Sequence, residues 1–181
     1  MNTPVYAEKI TSLSDARYYS GMGVRWLGIC VNPADPAYLS PQKFKEIAGW
    51  VSGPQFVIEA EGLPDTFEAA ALKADYGISV FRVRDHQINS VNGFPFGLDL
   101  RKSSSPFTTE ADYVILKSAS ELDKSANTKK LIPAPLSTSE AESILIQYPG
   151  TGFIITGSEE ATVGLKEYDA RDFLEFLDNR E

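Results

Sequence analysis

The sequence predicts a single (β/α)8 barrel. Three observations carry this: eight short β-rich runs, helical or loop segments between them, and apolar residues that in several runs are continuous rather than alternating. Strands alternating with helices predict a parallel sheet wrapped by helices, and continuous apolar runs are what strands covered on both faces require. Eight parallel strands in one domain most naturally close on themselves. The 181 residues are enough for one core and too few for two comfortable ones, so 1–181 reads as one domain. The alternative, an open doubly wound sheet, requires two of the eight runs not to be strands.

Taken in order, the runs are VYAEKIT (5–11), WLGICV (26–31), QFVIEAE (55–61), ISVFRV (78–83), FPFGLDL (94–100), YVILK (113–117), KLIPAPL (130–136) and GFIITGS (152–158). Between the first two, SDARYYSGMG opens on a capping serine and ends on glycine; after the second, SPQKFKEIAGWV opens with Ser-Pro, a cap followed by a first-turn proline. PDTFEAAALKADY and STSEAESILIQYP are equally plain helices, and DARDFLEFLDN closes the chain with Phe173, Leu174 and Leu177 at helical spacing. The middle differs. DHQINSVNG, between runs four and five, has nine residues, whereas a parallel crossover needs about a dozen or more. RKSSSPFTTEAD, with three serines and a proline, reads as loop plus at most one turn. The expectation is a barrel whose helices are shortened or missing around strands four to six.

Charge and composition exclude several classes of function. The net charge of −8 comes without a basic cluster, which argues against nucleic acid, since Lys/Arg contacts to phosphates drive that binding. No apolar run approaches the roughly 20 residues that cross a bilayer, and the N-terminus MNTPVYAEK lacks the layout of a signal peptide, so a cytoplasmic protein is expected. One cysteine, Cys30, and one histidine, His86, are too few for a His/Cys zinc site, and no metal or cofactor is expected. Cys30 lies within the second run and reads as a small core residue; His86, on the polar loop after the fourth, reads as an exposed loop residue.

Two stretches, residues 9–48 from Lys9-Ile10 to Ile47-Ala48 and GFIITGSEEATVGLKEYDARDF (152–173), and more weakly ADYVILK (111–117), resemble phosphoribosylanthranilate isomerase, which performs an Amadori rearrangement on a (β/α)8 barrel. KITSLSDARYYSGMGVRWLGICVNPADPAYLSPQKFKEIA resembles the family's opening: a Lys-Ile strand, an Asp-Ala helix start, a Leu-Gly strand and a Pro-x-Tyr-x-Ser-Pro entry to helix two. GFIITGSEEATVGLKEYDARDF resembles its closing strand and following turn, and ADYVILK is similar to its sixth strand. The resemblance implies a general base, a cysteine in a Lys-Ile-Cys-Gly strand end, and a general acid, an aspartate ending strand six. Matching the Lys-Ile frames puts Thr11 at the base position, with a loop before Asp15 about three residues shorter than the family's, and Lys117 at the acid position. A threonine hydroxyl does not ionise near neutral pH, and a lysine with an ordinary pKa of about 10.4 is poorly matched to proton donation there. Each such group contributes on the order of 10²–10⁴-fold, so losing both leaves little of the family reaction.

Binding positions diverge as well. The family's Ser-Pro-Arg before helix two, whose arginine holds the anthranilate carboxylate, is Asp35-Pro36-Ala37. Its Gln-Leu-His-Gly at strand four is Arg82-Val83-Arg84-Asp85, and its phosphate-binding Gly-Gly after strand seven is Ala134-Pro135, where proline has no N–H to offer. Thr156, Gly157 and Ser158, after run eight, stand where barrels often hold a phosphate. The same TGS is also an ordinary strand-to-helix turn, and Glu160 close by opposes an anion: a carboxylate about 6 Å from a phosphate costs roughly 3 kcal/mol at an effective dielectric of about 20. Strand ends three to six further bring Glu59 and Glu61, Arg82 and Arg84, Asp99 and Arg101, and Lys117 to the predicted mouth. These charges are either a pocket for a polar ligand or an internal salt-bridge network filling a vacated site, the latter favoured because each acidic pair has a basic neighbour one strand away. Three functions stand: a non-isomerising relative that retains the barrel and a phosphosugar or other phosphorylated small molecule as ligand, an active phosphosugar isomerase using residues such as Lys117 and Asp99, and a scaffold whose eroded outer face docks a partner.

Overall fold

The computed structural model describes residues 2–103, 110–124, 128–135, 137–157, 160–162, 165–166 and 171–180. Eight parallel strands, β1 (Val5–Glu8), β2 (Trp26–Cys30), β3 (Gln55–Glu59), β4 (Phe81–Val83), β5 (Phe96–Asp99), β6 (Tyr113–Ile115), β7 (Lys129–Pro133) and β8 (Gly152–Thr156), pair in sequence order and close β8 onto β1. All eight expected runs are strands, and the open-sheet alternative is excluded. Each strand is shorter than its run. β1 stops at Glu8 because Lys9 adopts φ +56°, the left-handed region, which ends the extended backbone.

The helices follow local chemistry. α1 (Leu13–Gly21) starts where Ser12 accepts a hydrogen bond from the Asp15 N–H, and α2 (Pro41–Ala48) starts where Ser40 does the same for Lys43, with proline in the first turn. α3 (Ala69–Tyr76) has no such side-chain cap and ends on Gly77 at φ +73°. α4 (Thr138–Gln147) is capped by Ser137, and α5 (Arg171–Asp178) buries Phe173, Leu174 and Leu177 as its spacing predicts. Between β8 and α5 lies a small antiparallel pair, β9 (Glu160–Thr162) and β10 (Leu165–Lys166), that the sequence did not announce.

Around β4–β6 the outer ring is eroded as expected: β4 is followed by a 3-10 helix over Asp85–Val91 and β6 by another over Ala119–Lys124. Residues 104–109 of the serine-rich loop lie outside the described residues. The outer faces of these strands are nevertheless covered. Phe81, Val83, Phe96, Leu98, Val114 and Leu116 are all buried, packed in the outer core with Phe67, Val91 and Leu122. No helix among the described residues is long and apolar enough to cross a membrane.

The inside of the barrel is a second core. Tyr6, Trp26, Val57, Val80, Tyr113, Ile115, Leu131 and Ile154 fill it. Because successive strand residues face opposite sides, the residues two further along, toward the C-terminal mouth, share this inward face. They are Glu8 after Tyr6, Glu59 after Val57, Arg82 after Val80 and Asp99 after Gly97. Pairing sets Glu59 beside Arg82, and Glu8 beside Thr156. The apolar plug thus ends in a charged layer.

Candidate functional site

Arg82 is the centre of this layer, 2% exposed and fixed by its place in β4. Its Nη1 donates to Glu8 at 2.5 Å and lies 3.4 Å from Glu59, while Nε lies 3.8 Å from Asp99. The guanidinium also sits 5.4 Å from the centroid of the Tyr6 ring, a cation–π contact. Arg101 closes the layer from above, donating to both carboxylate oxygens of Glu8 at 3.1 and 2.8 Å and to Asp99 at 2.8 Å. Glu61 at the rim is joined to Arg84, to Lys102 at 3.3 Å and, at 3.8 Å, to Arg82 Nη2. An ion paired in this way keeps part of the solvation it loses to burial.

These contacts divide the acids into two kinds. Burial pushes the Glu8 carboxyl up, but hydrogen bonds from Arg101 and the charges of Arg82 and Arg101 outweigh it and hold Glu8 down at about 2. Asp99 and Glu61 are lowered in the same manner, against burial, by Arg101 and Arg82 for the first and by Arg84 and Arg82 for the second. Glu59 goes the other way. Its full burial raises its pKa, Arg82 opposes, and the nearby Glu8 charge pushes it up further. Glu59 instead accepts from the Tyr6 hydroxyl at 3.1 Å and from the Lys9 N–H at 3.3 Å. Glycines make room: a Cβ on Gly28 would lie 1.9 Å from Glu59 Oε1 and 2.5 Å from the Tyr6 hydroxyl, and one on Gly97 would overlap the Tyr113 ring.

Of the residues singled out in the sequence, Glu59, Glu61, Arg82, Arg84, Asp99 and Arg101 are brought together, and Lys117 is not. Lys117 is exposed beyond β6, its backbone N–H donates to Glu121 at 3.0 Å, and it makes no ion pair among the described residues. Thr11 stands three residues past the end of β1; the residue that ends the strand and faces the mouth is Glu8. Sequence reasoning overlooked Glu8, although alternation from Tyr6 places it on the inward face. The shortened loop was a second signal: starting from Glu8, three residues before Thr11, restores the residues that the Thr11 match leaves missing. Gln87 was also missed. It is buried, and its amide donates to the carbonyls of Ala60 and Leu63 at 3.0 and 3.1 Å, clamping the turn that carries Glu61.

At the strand-eight end, Thr156 donates its hydroxyl to Glu8 at 3.2 Å, and the Gly157 N–H donates to the Glu8 carbonyl at 2.8 Å. Ser158 lies outside the described residues. On β7's side the Ala134 N–H is bonded to the Ile154 carbonyl at 3.0 Å and Pro135 has none. Asp35 accepts from Lys9 at 3.4 Å and from the Ala37 N–H at 2.8 Å. Cys30 is buried at the end of β2, and His86 is exposed beside Asp85 and Asp65. No group of three or more His, Cys, Asp or Glu side chains among the described residues is arranged to hold a metal ion. A polar groove lined by Thr3, Ser20, Arg25 and Gln55 opens at the opposite end, away from the face where barrel chemistry is built.

No protein-family model matches the chain, and no curated protein matches it in sequence. Solved structures do match. TrpF from Jonesia denitrificans superposes with a TM-score of 0.75 at 16% identity, covering 98% of this chain and 97% of that one. Phosphoribosylanthranilate isomerase from Thermus thermophilus gives 0.73 at 18% identity over 98% and 100% of the two chains, and the Pyrococcus furiosus enzyme 0.72 at 16% over 98% and 99%. At these identities the likeness is one of architecture. From first strand to last, the chain has the fold of the phosphoribosylanthranilate isomerases.

Proposed function

We propose that this chain is a divergent relative of phosphoribosylanthranilate isomerase that does not efficiently catalyse the Amadori rearrangement, its barrel mouth being filled by an internal ionic network. The observation that carries the reading is Glu8. It ends β1, where the resemblance calls for the cysteine that removes the sugar proton, and it is tied to two guanidinium groups. A carboxylate held at about 2 is a weak base at neutral pH, and reaching a carbon-bound proton requires it to give up Arg82 and Arg101. At the acid position, Lys117 is exposed after β6 and makes no ion pair with the network among the described residues.

A phosphate site after β8 has reduced support, because two of its prospective donors, the Thr156 hydroxyl and the Gly157 N–H, already serve Glu8. A phosphorylated small molecule remains the ligand class that the family resemblance favours there. The test pairs an isomerase assay on phosphoribosylanthranilate with thermal shift against ribose 5-phosphate. The reading expects no turnover above a buffer control. Turnover that disappears in Glu8→Gln identifies an active isomerase using Glu8 as base, and overturns it. A phosphosugar shift abolished by Gly157→Asp places the ligand after β8; no shift with the sugar phosphate removes that part of the reading.

A further inference from the structure

We propose that the barrel mouth above Arg82, between the turn after β3 and the loops after β4 and β5, is a binding site for a small oxyanion, a carboxylate or phosphate group, with Glu61 as its built-in occupant. Three cationic side chains converge on this one carboxylate: Arg84, Lys102 at 3.3 Å and Arg82 at 3.8 Å. Arg84 carries a planar fork suited to the paired oxygens of a carboxylate or phosphate, and Arg82, whose Nη1 and Nε face Glu8, Glu59 and Asp99, adds its remaining nitrogen, Nη2.

Arg82 Nη2 supplies an independent observation. It is a buried nitrogen without a hydrogen-bond partner, on a side chain 2% exposed, and it points to Glu61 from beyond hydrogen-bonding distance. Leaving a charged donor unsatisfied is costly, so an oxygen placed closer than the Glu61 carboxylate gains on that ground alone.

Glu61 is also the acid best able to leave. Glu8, Glu59 and Asp99 are held on strands inside the barrel, whereas Glu61 lies on a turn, its side chain 32% exposed, followed by Gly62 at φ +79°. Gln87 pins the backbone on either side of that turn, at Ala60 and Leu63, so the side chain can rotate into solvent without unfolding the loop. Charge balance favours a replacement anion. With Glu61 in place, four acids face Arg82, Arg84, Arg101 and Lys102; with it swung out, three remain and the mouth carries an excess positive charge. Burial tends to raise the Glu61 carboxyl, but Arg84 and Arg82 outweigh it and keep the occupant ionised.

The test titrates sodium acetate and, separately, inorganic phosphate into the full chain at constant ionic strength, reading the amide NMR signals of Glu61, Arg84 and Lys102. Glu61→Gln, which removes the competing charge, is expected to bind at least one of the two anions roughly tenfold more tightly than the wild type. Glu61→Asp, which keeps the charge but draws it back, moves the affinity the same way and guards against a folding defect. Adding Arg84→Gln to Glu61→Gln abolishes the gain. Preference for acetate identifies a carboxylate ligand, and preference for phosphate a phosphate monoester. The proposal is overturned if neither anion moves these signals in Glu61→Gln, if Glu61→Gln binds no more tightly than the wild type, or if binding survives the loss of Arg84.

Discussion

Glu8 accepts from four residues at once. Its carboxylate takes Arg82, both ends of the Arg101 fork and the Thr156 hydroxyl, while its carbonyl takes the Gly157 N–H. Replacing Glu8 by glutamine keeps the shape and removes the charge, leaving two guanidinium groups short of an anion; breaking a buried pair in this way costs about 3 kcal/mol or more. Urea unfolding of Glu8→Gln at neutral pH measures it. Thr11→Ala, past the strand end, is expected to change stability by no more than about 0.5 kcal/mol. Equal losses from the two substitutions contradict the placement of Glu8 at the centre of the network. Gly28 provides the second residue-scale test: an added methyl meets Glu59 and the Tyr6 hydroxyl inside van der Waals distance. Both are boxed into the barrel, so Gly28→Ala is expected to lose about 1–3 kcal/mol, again by urea unfolding.

At the scale of elements, the turn after β3 and the 3-10 helix after β4 act as one unit through Gln87. Its side-chain oxygen accepts the Arg84 N–H at 3.2 Å while its amide group holds Ala60 and Leu63. Gln87→Ala removes the donor to the Leu63 carbonyl and the acceptor of the Arg84 N–H, and leaves Ala60 with only the Leu63 N–H, a cost of about 1–3 kcal/mol. Faster amide exchange is expected at residues 60–63 and 84–87 together, leaving the exchange of β1 and β8 unchanged; exchange that rises only at the site of substitution contradicts the coupling. Elements of this kind explain what was and was not legible in the sequence. Strands and two of the capped helices announced themselves because their signals are local: Ser40 and Ser137 each cap the helix that follows, whereas the first helix is capped by Ser12, two residues before the expected Ser14, which lies inside it. The end of β1 was not legible, because Lys9 enters a left-handed conformation with an ordinary side chain and its N–H is taken by Glu59, fifty residues away. Arg82, Asp99 and Glu59 were readable as strand-end charges. Which of them touch depends on register around a closed barrel, which no single strand encodes.

For the whole molecule, the network makes stability dependent on acid. Glu8 has an ordinary pKa of 4.5 and is held at about 2 in the fold. A carboxyl whose folded pKa is depressed contributes stability that is fully present above the unfolded value and is lost as pH falls through the folded one. Glu8 therefore supplies about 3 kcal/mol at neutral pH, lost between about pH 4.5 and pH 2, and Asp99 and Glu61 add in the same direction. Glu59, whose pKa is raised, has the opposite sign: its contribution is present below the unfolded value and falls as pH rises, so it partly offsets the others. Urea unfolding at pH 7 and pH 3 is expected to show a clear loss on acidification, reduced in Glu8→Gln. An undiminished loss in that variant contradicts the assignment.

The measurement that bears most directly on the account is single-turnover conversion of phosphoribosylanthranilate by the purified wild-type chain, followed by the loss of substrate fluorescence. With Glu8 locked between Arg82 and Arg101 and Lys117 outside the network, the predicted trace does not differ from buffer alone. Substrate consumption well above that of buffer, lost in Glu8→Gln, would show that the network opens to release a working base and would contradict the central claim.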